Sequence, residues 1–269
     1  MRALSIFVLL LSFVLLGCTV ASDPQLIISR EGPLDTGIVG GRSLKKTDSL
    51  SKYVVMIYSE NDEGISQTCT GTIISDSAIL TAAHCVTKDV SKTSAFFSPN
   101  PFAEDNPQSV VLTGVVSHEN YLDKNKLGRN DLAILRFAGG LPKGAAIAKI
   151  APSGIWQLKL KSLKALGFGQ TGGGDDLANT SGLLRIVEIF IPNFNPSLPE
   201  FEILQDGAKG VCHGDSGGPA LARVGGVIQL FAVASAIIDP GNLDLDSCHY
   251  RSIFTNIEYY KDWIQSNLR

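Results

Sequence analysis

Residues 38–269 of this chain predict an all-β fold. Three observations carry the prediction. Short apolar runs rich in β-branched residues recur, turn signals separate them, and few stretches show helical spacing. The runs lie at 53–58, 71–74, 109–113 and 131–137, then at 164–169, 184–191, 227–238 and 252–255. The Gly139-Gly140-Leu141-Pro142 connection divides the two sets. Pattern alone leaves a sandwich and a barrel both open. Residues 257–264 place apolar side chains at helical spacing and predict a C-terminal helix.

Before this domain the chain reads as an export segment. Met1-Arg2 is followed by an apolar run at 3–16, then Gly17-Cys18. That run is too short to span a membrane comfortably. Residues 1–17 are read as a signal peptide and 18–37 as a polar linker and propeptide, leaving 38–269 as the working domain. Leu15-Leu16-Gly17-Cys18 resembles a bacterial lipobox, in which Cys18 is lipidated after cleavage before it. Ordinary secretion with cleavage after Ala21 is the rival. Of five cysteines, Cys69, Cys85, Cys212 and Cys248 remain once Cys18 is set aside, an even number suited to an oxidising compartment. The expected location is outside the cytoplasm, as a membrane-anchored lipoprotein or secreted after processing.

Composition removes other classes. With 44% apolar and 18% charged residues the chain suits a packed globular domain. A net charge of −3 and no basic patch argue against nucleic acid. The four histidines are scattered and no C-x-x-C pair exists, so a zinc site is not expected. Asp175-Asp176 and Glu104-Asp105 read as solvated loops rather than cation ligands. No cofactor and no metal are expected.

Three motifs carry chemistry: Thr81-Ala82-Ala83-His84-Cys85, Asn130-Asp131-Leu132-Ala133, and Gly214-Asp215-Ser216-Gly217-Gly218-Pro219. A serine hydroxyl is a poor nucleophile at neutral pH. It needs a base, and the base needs an anion to orient it. Gly214 to Gly218 also satisfies G-x-S-x-G, the signature of α/β-hydrolases. In that fold the histidine follows the serine. Here His249 follows Ser216 too closely for the intervening elements, and no βα alternation precedes it.

In the order His84, Asp131, Ser216, the chain resembles the chymotrypsin/trypsin-like serine proteases from about Ile38 to its end. The resemblance implies two six-stranded antiparallel β-barrels with the catalytic cleft between them. His84 and Asp131 would come from the first barrel and Ser216 from the second. Tyr260, Trp263 and Ile264 of the C-terminal helix would pack on the second barrel. It implies a serine endopeptidase with His84 as general base and acid, Asp131 as its orienting anion, and an oxyanion hole formed by the N–H groups of Gly214 and Ser216. It implies Cys69–Cys85 and Cys212–Cys248 disulfides. Ile38-Val39-Gly40-Gly41 resembles the N-terminus freed by propeptide cleavage, whose ammonium would pair with Asp215. Its partners would be protein substrates and an activating protease, and a monomer is expected. The second reading, from another class, is an unprocessed protease-fold protein that binds at a surface without catalysis.

By the same resemblance the primary specificity pocket is formed by Gly210, Val211, Ser235, Ala236, Ile237 and Ser252. Gly210 stands where trypsin-like members carry an Asp, so no buried anion would attract Lys or Arg. Ile237 and Val211 would narrow the pocket, which implies an elastase-like preference for small aliphatic residues. Ala236 replaces a Trp found in most relatives, and residues 239–247 form a longer stretch than usual. Gly37 precedes Ile38 where most relatives have Arg or Lys, so a trypsin would not make the activating cut. The resemblance therefore implies an elastase-like activator, with a second copy of this chain as the candidate.

Overall fold

The computed structural model describes residues 38–60, 64–121, 129–155, 159–173, 180–191, 194–205, 209–238, 241 and 247–268. The signal, linker and propeptide residues, Cys18, Gly37, Asp175 and Asp176 lie outside them, as does most of 239–247. Among the described residues the first half of the domain carries β1 (Arg42–Ser43), β2 (Val54–Glu60), β3 (Ser66–Ile73), β4 (Ala78–Thr81) and β5 (Thr93–Phe96). It continues with β6 (Ser109–Val110), β7 (Leu112–Ser117) and β8 (Ala133–Phe137). The second half carries β9 (Lys149–Ile150), β10 (Ser162–Gly167), β11 (Arg185–Phe190) and β12 (Glu200–Leu204). It ends with β13 (Pro219–Val224), β14 (Val227–Ile238), β15 (Arg251–Asn256) and one helix, α1 (Lys261–Ser266).

The first sheet runs β6-β5-β2-β3-β4-β8-β7 and is antiparallel throughout. Only Val111 separates β6, which pairs with β5, from β7, which pairs with β8. The two are halves of one strand, and through it the sheet closes as a six-stranded barrel. The second sheet runs β11-β10-β13-β14-β15-β12, with β1 beside β11 and β9 added in parallel beside β14. Its six main strands are antiparallel. No ladder joins β11 to β12 among the described residues. A cavity of about 850 Å³ lies there, lined by Ile189, Ile191, Phe201 and Ile203 among others.

The continuous apolar runs follow from this geometry. A barrel strand that also faces the other barrel is buried on both sides, so hydrophobicity does not alternate. On β2, Val55 and Ile57 point into the first barrel with Ile73, Ile79 and Leu135. Val54 and Met56 point the other way, into a core shared by Leu132 and Ile134 with Leu166, Leu221, Leu230 and Val233 of the second sheet. A third cluster fills the second barrel, including Leu163, Val187, Phe231 and Phe254.

The C-terminal helix meets not the second barrel alone, as expected, but both barrels. Tyr260 and Ile264 enter the core shared by both barrels. Trp263 stacks on His118 of the first, with ring centroids 5.0 Å apart, and its Nε1 donates to Glu119 Oε2 at 2.9 Å. Arg136 of β8 donates to Asn267 O at 2.6 Å. The periodicity showed which helix face is apolar but not which neighbour it meets. The helix therefore clamps the first barrel to the second.

Gly71 on β3 sits where a side chain has no room. A Cβ there would stand 2.6 Å from Ile79 Cγ2 and 2.9 Å from Ile57 Cδ1. Overpacking of this kind costs about 1–3 kcal/mol. Gly71→Ala is expected to lower the stability of the folded domain by that amount, read as an earlier urea midpoint with an unchanged slope.

Candidate active site

His84 lies on a single 3₁₀ turn, residues 83–85, entered directly from β4. Small buried residues, Ala82 and Ala83, let the backbone turn against the barrel. Cys85 is tied to Cys69 on β3 by a disulfide. Gln67 Nε2 donates to His84 O at 3.1 Å, and Ser59 Oγ donates to Cys85 O at 3.0 Å. The backbone of the histidine is thus fixed on both sides.

Asp131 precedes β8 and is 2% exposed. Asn130 before it adopts φ +64°, a left-handed conformation that Asn tolerates better than most residues. Asn130 Oδ1 accepts from Tyr260 Oη at 2.9 Å, and its Nδ2 donates to Asn120 O at 3.0 Å. Burial pushes the Tyr260 hydroxyl up to about 12, so it stays a donor. The Asp131 carboxylate accepts three bonds: His84 N to Oδ1 at 3.0 Å, and His84 Nδ1 to Oδ2 at 2.7 Å with Ser235 Oγ to Oδ2 at 2.7 Å. A buried anion so placed holds the Nδ1–H tautomer, leaving Nε2 as the basic nitrogen.

Ser235 reaches Asp131 because of a bulge. On β14 the register with β15 slips between Ala234 and Ala236, leaving Ser235 as the extra residue. Bulges re-aim side chains in this way. Sequence reasoning placed Ser235 in the substrate strand and missed this second contact; a register slip leaves no mark in a run of apolar residues.

Ser216 sits on a turn that only glycine permits. Gly214 and Gly217 have φ +94° and +81°. A Cβ on Gly217 would lie 2.1 Å from Thr81 Oγ1 and 2.2 Å from Thr70 O. The turn is stitched to the first barrel through Thr70, whose N donates to Ser216 O at 2.8 Å and whose Oγ1 donates to Gly214 O at 3.0 Å. It is stitched to the second by Gly217 N to Ala234 O at 2.7 Å. Ser216 Oγ is 3.4 Å from Ser235 O. Cys85 Sγ lies 3.7 Å from His84 Nε2 and 3.5 Å from Ser216 O, so the basic edge of the imidazole and the serine flank one sulfur. Gly214 N and Ser216 N donate to no acceptor among the described residues. Cys69, His84 and Cys85 cluster within metal-ligand distance, but the disulfide occupies both sulfurs. Glu104 is engaged by Ser98 and by Lys46 at 2.9 Å.

Asp215 is fully buried beside Ser216. Its Oδ1 accepts from Gly169 N and its Oδ2 from Cys212 N, both at 2.7 Å. Gly167 and Gly169 make the niche: a Cβ on either would come within 2.1 Å and 2.6 Å of the carboxylate. Burial pushes this carboxyl up to about 7, against the pull of the two N–H groups and of Arg185. No cation bridges to it among the described residues. Ile38 is buried in the second barrel's core, and Gly210 N donates to Val39 O at 3.0 Å. Residues 38 and 39 therefore lie against the segment that carries Asp215.

The expected pocket residues separate into two groups. Val211, Ser235, Ala236 and Ile237, with Cys212, His213, Ser216 and Ala234, line a small cavity of about 30 Å³. Gly210 and Ser252 lie outside that lining. Ser252 is fully buried, pairs with Ile237 across the ladder, and leaves its Oγ without a partner. Cys212 and Cys248 are joined by a disulfide behind the cavity.

Two barrels with a glycine-bound serine, a histidine and a buried aspartate at their junction define the class of two-barrel serine peptidases. A family model described as Trypsin matches residues 38–264. The chain belongs to the trypsin family and is a serine endopeptidase, a hydrolase acting on protein substrates. It is 24% identical over 263 residues to CLIP domain-containing serine protease B4 of Anopheles gambiae, covering 86% of this chain and 70% of that one. It is 26% identical to Trypsin-1 of Astacus astacus, covering 74% and 87%. Chymotrypsin-like elastase family member 1 of Bos taurus is 23% identical, covering 85% and 88%.

The Asp215 carboxyl sets a pH dependence. Its folded pKa is raised above the unfolded value of 3.8, so its contribution to stability is fully present below that value and is lost as pH rises through about 7. The uncut chain carrying Ser216→Ala is expected to melt several degrees lower at pH 8 than at pH 5. Adding Asp215→Asn should flatten that difference, as read by calorimetry across the same pH range.

Proposed function

We propose that peptide bonds are cleaved through an acyl-enzyme on Ser216. The observation that carries this reading is the Asp131 carboxylate, buried and holding His84 by both Nδ1 and backbone N. His84 Nε2 takes the proton of Ser216 Oγ as the oxygen attacks the carbonyl carbon. The developing oxyanion accepts from Gly214 N and Ser216 N, fixed donors that need no reorganisation. The imidazolium, stabilised by Asp131, then gives its proton to the leaving amine. Water enters, loses a proton to His84, and attacks the acyl carbon. Collapse of the second tetrahedral intermediate breaks its bond to Ser216 Oγ, which takes the proton back. The Ala236–Ile237 end of β14 has no ladder partner on the edge opposite β15 among the described residues, since β13 pairs only as far as Val233. That edge is open to the backbone of a substrate.

The small cavity and its apolar wall Ile237 support cleavage after Ala, Val or similar residues. The sequence supports a zymogen cut between Gly37 and Ile38. In the cut form the Ile38 ammonium pairs with Asp215, whose burial leaves an anion in need of a cation. An activator with the same small-residue preference fits Gly37, and a second copy of this chain is the candidate. The domain order is a signal peptide to residue 17, a propeptide to 37 and the protease from 38. A lipid on Cys18 would anchor the precursor outside the cytoplasm. Cutting at Gly37 then frees the protease, because both disulfides lie within 38–269.

Labelling with a fluorophosphonate, followed by mass spectrometry, tests the assignment. The label is expected on Ser216 of a chain beginning at Ile38. Ser216→Ala should lose it, and Asp131→Asn should lower kcat by about 10⁴-fold. Label elsewhere overturns the assignment. Self-activation has its own check: the Ser216→Ala precursor should be cut at Gly37 when mixed with active enzyme, and a precursor left intact excludes it.

A further inference from the structure

Gln205 is the first residue past β12, and its side chain is buried next to the substrate pocket. It is 1% exposed. Nε2 donates to Val211 O at 3.0 Å and to Cys248 O at 2.7 Å. Oε1 accepts from Val211 N at 2.8 Å. The backbone N of Gln205 donates to Tyr250 O at 2.8 Å. One carboxamide therefore joins the 210–212 segment to the 248–250 segment, alongside the Cys212–Cys248 disulfide. Only an amide fits these partners, with two donors at one end and an acceptor at the other. A carboxylate would face two carbonyls.

The same carboxamide occupies the place of a side chain at residue 210. A Cβ on Gly210 would stand 2.1 Å from Gln205 Cδ and 2.4 Å from Oε1. The residue that the family resemblance names as pocket floor is thus absent in function, and a residue from another strand has taken its volume. Gln205 and Gly210 stand behind the cavity of about 30 Å³ rather than in its lining, and Gln205 reaches that lining through Val211, whose N and O it binds.

Resting on the endopeptidase reading above, we infer that Gln205 sets the depth and neutrality of the primary specificity pocket. It acts as a plug rather than as a contact in the chemistry. It keeps the pocket shallow for a substrate side chain, and it presents no charge to Lys, Arg, Asp or Glu. Gly210 is required because Gln205 is there: the two positions form one complementary pair.

The test uses enzyme processed at Gly37, with active sites counted by the fluorophosphonate. Peptides differing only in the residue before the scissile bond, Ala, Val, Leu, Phe or Lys, are compared by kcat/KM for wild type, Gln205→Ala, Gln205→Ser and Gln205→Asn. Opening the floor is expected to raise the Leu-to-Ala and Phe-to-Ala ratios about tenfold or more, the range of one or two methylenes in an apolar pocket. Gly210→Asp alone should not gain cleavage after Lys, whereas Gly210→Asp with Gln205→Ala should. Variants that label normally yet keep wild-type ratios within twofold overturn the inference. Should none of the variants fold, wild type decides: an Ala-to-Leu preference below tenfold overturns it, and a larger one supports it. A wild type that takes no label is a failure of the endopeptidase reading instead.

Discussion

The buried carboxylate of Asp131 is the constraint on which the architecture of the cleft depends. An anion removed from water must be satisfied by hydrogen bonds, and no single element here supplies enough of them. His84 on the first barrel provides two donors and Ser235 on the second provides the third. The carboxylate is thereby satisfied only when the barrels are docked. Other features follow as supports. The bulge on β14 exists where Ser235 must turn toward it. The left-handed Asn130 aims it, and Tyr260 at the start of the C-terminal helix holds Asn130. Thr70 makes the parallel connection for the serine, binding Ser216 O and Gly214 O from the opposite barrel.

Asp215 presents the same physics with a different outcome. It too is buried between elements, but its donors are two backbone N–H groups, and burial still wins, raising its pKa to about 7. Asp131 adjoins an imidazole that can take up positive charge as the reaction proceeds. Among the described residues Asp215 has no such neighbour within bonding distance. Among the described residues the first carboxylate is bonded to an imidazole and the second to backbone N–H groups. Gly167 and Gly169 clear the space for it at the cost of any side chain there.

The sequence made some of this legible and hid the rest for identifiable reasons. Strands buried on both faces were visible as apolar runs, and 227–238 matches β14 residue for residue. β1, β4, β5, β9, β12 and β13 went unread: the first four are two or four residues long, and β12 and β13 mix charge with apolar residues, as in Glu200–Leu204. The motifs around His84, Asp131 and Ser216 stood out because each has its local context, such as a tight glycine turn or a His beside a Cys, and the structure brings Asp131 to His84. The helix's docking on His118 and Glu119 was not, since spacing within one element carries no address for its partner. Gln205 was invisible for the same reason: its role depends on Gly210 from a different segment, and neither residue is unusual alone.

These separate parts share walls. Val39 packs with Cys212, Cys248 and Ile237, and its carbonyl accepts from Gly210 N. Cys212 N binds Asp215, the next residue Val211 backward binds Gln205, and Gln205 binds Cys248 O. The 210–215 segment therefore has one face on residues 38–39, one on Gln205, and its far end at Ser216. If residues 38–39 were displaced, Gly210 would lose its acceptor, and the floor, the disulfide wall and the Gly214 N–H would lose their common support together. The wall of the small cavity and the Gly214 N–H cannot then be assembled separately.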